Sequence, residues 1–392
     1  MPVVSDAPLS ILHLVSYPLY SGPLPPTTGL ALAQRRLGHT VYLAYDRKRG
    51  DDDAFEEAAT PRLRRLGLDP PLGLTLSTKS SALELLSDVR ALRALITHHG
   101  VQVLHAHQSH DHALLALVGG GALRVRTVHA NRTLSRRLGQ RWLNGRADAF
   151  VVRHAHARAQ LALHSGIDSE RVAVIGGAID AELFMPPSDV ARREARVRFG
   201  LPADTLVLGH VALIAERGQE ELVDAVASLR ETALHLLFVG RGEAEVALRA
   251  RVERAGLSAR VHFTGYLRGD DLLLAYAAMD AAFVAQPGND ASARAALEAM
   301  ACGLPLLAVQ VDALAELVDA DVGYPVVDRQ PAAIAAALSQ LIADGQQRQE
   351  RARRGRERVR TERTFEREAR ATVDFYRRAR VMTGRRGSAS RR

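Results

Sequence analysis

The segment from Gln286 to Pro305 has the residue types and spacing of an anion-binding site. An apolar run ends near Val284, a Pro-Gly pair follows, and Asp290 or the asparagine before it is placed to cap a new helix. The first amides of that helix, together with the positive end of the helix dipole, would favour a phosphate or a sugar hydroxyl. These amides belong to Ala291, Ser292 and Ala293.

A second carboxylate, Glu298, follows Asp290 on the same segment. The two are separated by roughly 12 Å along a helix that rises about 1.5 Å per residue. A diphosphate between two sugars spans a comparable length, so the two carboxylates could hold hydroxyl groups at either end. A capping aspartate and a solvated glutamate explain the same pattern, and the spacing alone leaves both interpretations open.

Histidines cluster in the stretch 105–112, at His105, His107, His110 and His112. On a strand, His105 and His107 would point to the same side. Three interpretations stay open for the cluster: His107 and His110 contact an acceptor, imidazoles bind zinc, or the histidines are solvated. No nucleophile elbow of the form G-x-S-x-G accompanies the histidines, which argues against a serine hydrolase.

Short apolar runs alternate with segments of helical periodicity along the whole chain. The alternation predicts an α/β fold of βαβ units, in which ligands bind beyond the carboxyl ends of parallel strands. The number of strand-like runs is too high for one doubly wound sheet, and a (β/α)8 barrel would leave a large remainder. Two Rossmann-like domains with parallel sheets facing a cleft are therefore predicted. Among the predicted elements are strands at 72–76 and 172–175 and helices at 30–37 and 291–301.

Pro186 and Pro187 mark a linker between two halves of similar size. We expect one domain over residues 1–185 and a second over 186–364. In residues 365–381, apolar residues recur at helical spacing and predict an amphipathic helix. Residues 382–392, rich in Gly, Ser and Arg, are expected to form a disordered basic tail.

Composition narrows the class of protein. The formal net charge is +8, carried almost entirely by arginine, which indicates anionic partners such as phosphate esters or an acidic lipid surface. The basic C-terminal segment has few aromatic residues for base stacking, so we expect no nucleic-acid partner. The one cysteine, Cys302, excludes an intramolecular disulfide, and no signal peptide or membrane-spanning run is evident. A cytoplasmic protein is expected.

Several segments resemble one known family. Glu298-Ala-Met-Ala-Cys-Gly-Leu-Pro305 is similar to the signature of the retaining family-four glycosyltransferases, which have the GT-B fold. Further matches follow the family's order along the chain. They are Leu37-Gly-His39, Ile175-Gly-Gly-Ala-Ile-Asp180, Leu237-Phe-Val-Gly-Arg-Gly242 and Val261-His-Phe-Thr-Gly-Tyr266.

This resemblance implies roles for individual residues on the donor side. Glu298 would bind the ribose hydroxyls, and Asp290 stands where the family's first glutamate binds the donor sugar. The backbone of Tyr266 and Leu267 would meet the base, and Gly240 lies in the family's glycine turn. On the acceptor side, the resemblance places Gly22 near the family's glycine loop, which is proline-rich here (residues 21–28). It also makes His129, after the next strand, a residue that approaches the donor sugar.

The diphosphate clamp departs from the family pattern. Leu213 stands where an arginine is expected, and Arg217 replaces the family's lysine. Arginine keeps the charge and adds bidentate phosphate geometry, and Arg294 could compensate for the missing cation. A surface pair between Arg294 and Asp290 at i,i+4 spacing is the alternative.

The resemblance implies a glycosyltransferase that moves a sugar, with retention, from a nucleotide-diphosphate sugar to a saccharide or lipid-linked acceptor in polysaccharide or lipopolysaccharide synthesis. The first domain would bind the acceptor, the second the donor, and the C-terminal helix would cross back to the first. We expect no metal and no cofactor, and peripheral contact with an anionic membrane. A non-catalytic scaffold or a nucleotide-sugar epimerase of the same fold is the alternative.

Overall fold

The computed structural model describes residues 7–46, 59–129, 137–229, 232–286 and 293–389, with side chains through residue 383. The chain divides into two compact units. Of the described residues, those up to Gly177 and those from Phe365 onward belong to the first unit, and those from Ala178 to Thr364 belong to the second. Each unit is built around one parallel six-stranded sheet covered by helices.

The first sheet has the strand order β2-β1-β3-β4-β5-β6. Its strands are β1 (Ser10–Val15), β2 (Thr40–Tyr45), β3 (Val103–Ala106), β4 (Leu123–Val128), β5 (Ala149–Val152) and β6 (Val172–Val174). The helices between them are α1 (Leu24–Arg36), α2 (Ala59–Leu66), α3 (Ala82–His98), α4 (Ser109–Leu117), α5 (Leu138–Gly145) and α6 (Ala155–Ser165). The direction of strand addition reverses between β1 and β3, which is where an open α/β sheet usually binds its ligand.

The second sheet has the order β12-β11-β10-β7-β8-β9, with the reversal between β7 and β10. Its strands are β7 (Leu206–Val211), β8 (Leu234–Val239), β9 (Val261–Phe263), β10 (Ala281–Val284), β11 (Leu306–Val309) and β12 (Gly323–Val326). Its helices are α7 (Asp189–Arg198), α8 (Gln219–Ser228), α9 (Glu245–Arg254), α10 (Gly269–Ala278), α11 (Arg294–Ala301), α12 (Asp312–Leu317), α13 (Pro331–Ala343) and α14 (Gly345–Glu362). The predicted α/β class with two parallel sheets is confirmed.

The last helix, α15 (Phe365–Ala389), belongs to the first unit, where it packs on α1. Its predicted apolar face is buried at Ala369, Val373 and Tyr376. The ring of Phe365 lies so close to Gly29 that any Cβ there would clash with it. The helix continues past residue 381, so the tail predicted to be disordered from 382 is helical as far as Ala389.

Two local predictions are wrong. Residues 72–76 do not form a strand, because the amides of Thr75 and Leu76 donate to the carboxylate of Asp88, at 2.8 and 2.9 Å, instead of to a neighbouring strand. The proline-rich stretch after Gly22 is not all loop, since Pro25 and Pro26 form the first turn of α1. Proline suits that turn because its missing N–H would have no helical partner there.

Among the described residues, none of the helices combines the length and the apolar character that crossing a bilayer requires.

Candidate functional site

The loop between β7 and α8 contains the predicted phosphate residues of the second unit. Its backbone is tied to the end of β8, since the amides of Ala212 and Ile214 donate to the carbonyls of Val239 and Arg241 at 3.0 and 2.9 Å. Arg217 is half-buried on this loop, and its amide donates to the Gln219 side chain at 3.0 Å. The loop therefore has a defined shape at the point where the strand order of the sheet reverses.

Leu213 lies on the same loop with 51% of its surface exposed. Its carbonyl accepts a hydrogen bond from the Gln219 amide group at 2.9 Å, so the backbone around it is held in place. An exposed leucine beside a predicted phosphate position leaves room for a longer cationic side chain.

The glycine turn after β8 lies against this loop. A Cβ on Gly240 would stand 1.9 Å from the carbonyl oxygen of Ala212, so only glycine allows the close approach. The Gly240 amide donates to the Gly265 carbonyl at 2.8 Å, next to Tyr266. The guanidinium of Arg241 lies over the Tyr266 ring, 5.6 Å from its centroid. The structure thus brings Gly240, Tyr266 and the Arg217 loop into one region of the second unit.

Glu298 is a preformed carboxylate site on α11. Its side chain is 5% exposed, with Oε1 accepting from Arg294 Nε at 2.8 Å and Oε2 accepting from the Tyr276 hydroxyl at 2.8 Å. Burial and the negative charge of Glu298 raise the pKa of Tyr276 well above its usual value, so this hydroxyl keeps its proton and donates it. A buried carboxylate with two donors is held in one orientation, which suits recognition of hydroxyl groups.

The start of α11 differs from the prediction. The first helical residue is Arg294, preceded by Ala293 in a left-handed conformation with φ 54°. The first helical amides are therefore those of Arg294 and its successors, and Ala293 precedes the helix. Asp290, Ala291 and Ser292 lie outside the described residues. Arg294, expected to pair with Asp290 or to bind phosphate, donates through Nε to Glu298.

In the first unit, four histidines meet beside the strand-order reversal. His13 on β1 is the register neighbour of His105 on β3, His107 follows β3, and His129 follows β4. His13 Nδ1 lies 3.0 Å from His107 Nε2, and His107 Nδ1 lies 3.2 Å from His129 Nε2. The sequence predicted the proximity of His105 and His107, whereas His13 was hidden in an apolar strand and was missed.

These four histidines are buried. The exposed fraction is 0% for His13 and His105, 1% for His107 and 5% for His129. Burial lowers the pKa of His13 to about 4. Burial, neighbouring histidines and the charge of Arg153 hold the pKa values of His105 and His107 well below 6.5. The imidazoles of His13, His105 and His107 are therefore neutral, and each can act as both a hydrogen-bond donor and an acceptor.

His13, His105 and His107 could hold a metal ion, since one nitrogen of each lies within 4.8 Å of the others. Their nitrogens are already engaged, however. His105 bonds the Tyr376 hydroxyl and the Thr127 hydroxyl, each at 2.6 Å. The 3.0 Å contact between His13 and His107 is the length of an N–H···N bond, shorter than the roughly 3.3 Å between two nitrogens on a tetrahedral zinc. A hydrogen-bond network accounts for the cluster better than coordination does.

The residues predicted to contact the acceptor have different environments. Gly22 is exposed with φ 53°, and His110 is half-buried in the first turn of α4. His107 is in the interior, behind His129, so its ring does not present a nitrogen to solvent. Its buried position corrects the expectation of a direct acceptor contact.

Two family models match the chain. The one described as "Glycosyltransferase Family 4" matches residues 27–183, mainly in the first unit, and "Glycosyl transferases group 1" matches residues 191–358 in the second. Together they cover most of the sequence, and the two parallel sheets are those of the GT-B fold. The chain belongs to the group 1 glycosyltransferases with the GT-B fold, as the motifs predicted.

Among curated relatives, a D-inositol 3-phosphate glycosyltransferase of Corynebacterium urealyticum is 31% identical over 55% of this chain and 53% of its own. A GDP-mannose-dependent alpha-(1-6)-phosphatidylinositol dimannoside mannosyltransferase of Mycobacterium tuberculosis is 30% identical over 45% of each chain. The matched part thus spans about half the length of these relatives.

Solved structures show the same fold. A glycosyltransferase from Rickettsia africae superposes with a TM-score of 0.78 at 16% identity, covering 95% of this chain and 98% of the other. Anabaena HepE in complex with UDP and glucose gives 0.76 at 19% identity, covering 93% and 98%. At these low sequence identities, the structural similarity is evidence for the fold alone.

Proposed function

We propose that this protein transfers a sugar from a nucleoside-diphosphate sugar to a hydroxyl group of an acceptor. The observation that carries the proposal is Glu298, a buried carboxylate held by Tyr276 and Arg294 on the helix that follows β10. Burying a carboxylate costs free energy unless it has donors, and this one is presented beside the strand-order reversal of its sheet. A carboxylate at this position can accept hydrogen bonds from the ribose hydroxyl groups.

The diphosphate leaves with negative charge, which the protein must stabilise. We assign this role to Arg217, on the ordered loop after β7, and to the helix dipole at the start of α11. Asp290 and His129 are assigned to the transferred sugar, in keeping with the family resemblance. The scheme uses cationic side chains and backbone amides and needs no metal.

We further propose that the configuration of the sugar is retained and that the acceptor is a polyhydroxylated saccharide or a lipid-linked saccharide. The named acceptors of relatives support this choice, since they are an inositol phosphate and a phosphatidylinositol mannoside. The arginine-rich chain suits a cytoplasmic enzyme that contacts an anionic membrane face while using such acceptors. A role in polysaccharide or lipopolysaccharide synthesis follows from the same reasoning.

The test measures binding and turnover with a panel of UDP-, GDP- and ADP-sugars, with Glu298→Gln and Arg217→Ala as variants. Both should lose at least tenfold in kcat/KM, because each removes a charge-assisted contact. Glu253→Gln, an exposed glutamate on α9 with the same chemical change, is the matched control and should retain wild-type kinetics. Wild-type kinetics in both Glu298→Gln and Arg217→Ala would refute the assignment.

Leu213→Arg tests the same site in the opposite direction. Restoring a cation beside the diphosphate should tighten nucleotide binding by roughly fivefold, which corresponds to about 1 kcal/mol.

Binding of a nucleotide sugar without release of the nucleotide would indicate a scaffold. Conversion of the donor in the absence of any acceptor would indicate an epimerase.

A further inference from the structure

A continuous chain of hydrogen bonds runs through the interior of the first unit from Gln34 to His129. It begins at Gln34 on α1, whose Oε1 lies 2.8 Å from His13 Nε2. It continues from His13 Nδ1 to His107 Nε2 at 3.0 Å and from His107 Nδ1 to His129 Nε2 at 3.2 Å. Gln34 is completely buried, so the chain connects His129 with a fixed point inside the protein.

The direction of every proton in this chain can be deduced. A carbonyl oxygen only accepts, so His13 Nε2 carries the hydrogen bonded to Gln34. A neutral imidazole has one N–H, and His13 Nδ1 must therefore accept from His107 Nε2. By the same rule, His107 Nδ1 is an acceptor.

One hydroxyl competes for that acceptor. Thr27 Oγ1 lies 3.3 Å from His107 Nδ1, but its hydrogen is donated to the carbonyl of Pro23 at 2.7 Å. The remaining donor for His107 is therefore His129 Nε2–H. All three imidazoles have the hydrogen on Nε2, and each donates toward Gln34.

His105 packs against two imidazole rings of the chain. Its ring lies 5.1 Å from that of His13 and 4.4 Å from that of His107, centroid to centroid. Its own nitrogens are bonded to Tyr376 of α15 and Thr127 of β4, so it cannot rotate to offer His107 a different partner. With Gln34 Oε1 as the accepting end, the ring nitrogens of His13 and His107 have one arrangement of hydrogens that satisfies them all.

We propose that His107, backed by His13 and Gln34, is a positioning residue that fixes the ring orientation and the Nε2–H tautomer of His129. The proposal rests on the proposed function insofar as His129 acts on the sugar. With the proton directed inward, Nδ1 becomes the acceptor nitrogen of His129 and is suited to a sugar hydroxyl as donor. A neutral ring held in place loses little freedom when the substrate binds.

Three substitutions at His107 separate positioning from packing. His107→Asn keeps an oxygen near the position of Nδ1 and can still accept from His129. His107→Gln keeps a polar atom near Nε2, facing His13, and loses the acceptor for His129, whereas His107→Leu loses both. We expect His107→Asn to keep kcat within about threefold, and the other two to lose about tenfold or more, with nucleotide affinity unchanged in all three. A residue that mattered only for packing would tolerate Gln or Leu at least as well as Asn.

The tautomer supplies a readout that does not depend on activity. In histidine ¹⁵N spectra, His129 should show the Nε2–H pattern in the wild type and in His107→Asn, and averaging of both tautomers in His107→Leu. His99→Asn, a change at an exposed histidine on the surface of the same unit, should alter neither the His129 signals nor kcat.

The outcomes are separable. If no donor is turned over but His129 shows the Nε2–H pattern that His107→Leu abolishes, the proposed function fails and the positioning chain stands. Wild-type kcat in His107→Leu, or an Nδ1–H pattern for His129 in the wild type, would overturn the chain. Stoichiometric zinc in the purified protein, lost with His13→Ala, would also overturn it, since a metal would replace the hydrogen bonds.

Discussion

Each unit buries polar groups at the strand-order reversal of its sheet, and the two units satisfy these groups in opposite ways. The first places neutral imidazoles there, which share protons with one another and with Gln34, Thr127 and Tyr376. The second places a carboxylate, Glu298, and satisfies it with one cation and one hydroxyl. Neutral groups avoid the desolvation cost of charge, whereas the buried carboxylate depends on its partners.

The difference follows from what each group must do. A donor-binding carboxylate has to accept hydrogen bonds from hydroxyl groups, and it does so best when ionised. The histidine cluster has to hold one ring in a defined tautomer, which requires that no extra proton enters the chain. The histidine cluster should therefore be sensitive to pH, and the Glu298 site to the loss of the cation that orients its carboxylate.

Acidification should have the largest effect, and it should act on the first unit. The pKa of His13 is lowered from 6.5 to about 4, so between these values the unfolded chain binds a proton that the folded chain excludes. This contribution to the free energy of unfolding is complete above pH 6.5 and decreases as the pH falls toward 4. At pH 5 one such group loses about 2 kcal/mol. The pKa values of His105 and His107 are lowered in the same direction, so both histidines add to the loss of stability on acidification.

The second unit provides the comparison for this pH effect. Its fully buried histidine with a shifted pKa, in the described part of the chain, is His210, lowered to about 4 by burial. Hydrogen exchange measured by mass spectrometry at pH 7.5 and pH 5, corrected for intrinsic rates, should show the first sheet losing protection before the second. Equal loss in both sheets, or earlier loss in the second, would contradict the contrast between the units.

The next largest effect is expected at Arg153, a buried cation of the first unit. Arg153 Nη1 lies 2.6 Å from Glu368 Oε1, and both side chains are 3% exposed. Arg153→Ala would leave a buried carboxylate without its cation, which typically costs about 3–5 kcal/mol. It would also remove a positive charge that keeps the pKa values of His105 and His107 low. Urea denaturation at pH 7.5 measures the loss.

Arg124→Ala is the matched control for Arg153. Arg124 forms an ion pair with Asp148 at the start of the same sheet, but its side chain is 29% exposed. Solvent screens this pair, so we expect a loss of about 1 kcal/mol or less. If Arg153→Ala costs no more than Arg124→Ala, the buried pair does not anchor α15 as its geometry indicates.

The sequence predicted the fold because the signals for it are repetitive. Each apolar run and the helical segment after it can be recognised from the local sequence, and their alternation along the chain was enough to predict two parallel sheets. The strand predicted at residues 72–76 does not form, because the carboxylate of Asp88, on α3, accepts hydrogen bonds from two of its backbone amides. Local apolar character cannot reveal such a partner.

The site was predicted in part for the same reason. Arg217, Gly240 and Glu298 lie just after strands or in a recognisable motif, so position along the chain located them. Tyr276 and His13 lie within apolar segments, a helix and a strand, where a single polar residue gives no sign of its partner. The interior role of His107 depends on its contacts with His13 and His129, which only the three-dimensional structure shows.

The smallest of the predicted effects concerns Arg294, the cation of the second unit. Arg294→Ala removes one of the two donors to Glu298 and leaves the Tyr276 hydroxyl to orient the carboxylate. The Arg294 side chain is 34% exposed, so solvent screening limits the loss of stability to about 1 kcal/mol. Affinity for a nucleotide sugar should fall by about fivefold, because the carboxylate must be oriented again when the donor binds. Isothermal titration and thermal melting measure the two quantities.

Arg354→Ala is the control that makes this prediction specific. Arg354 also pairs with a glutamate at i,i+4 spacing, Glu350, but on the exposed surface of α14. Its removal should change neither the affinity nor the melting temperature appreciably. If Arg294→Ala lowers the melting temperature but binds nucleotide sugars as the wild type does, Arg294 stabilises α11 without orienting Glu298. The buried carboxylate of the second unit would then depend on Tyr276, a neutral donor like those that serve the histidines of the first.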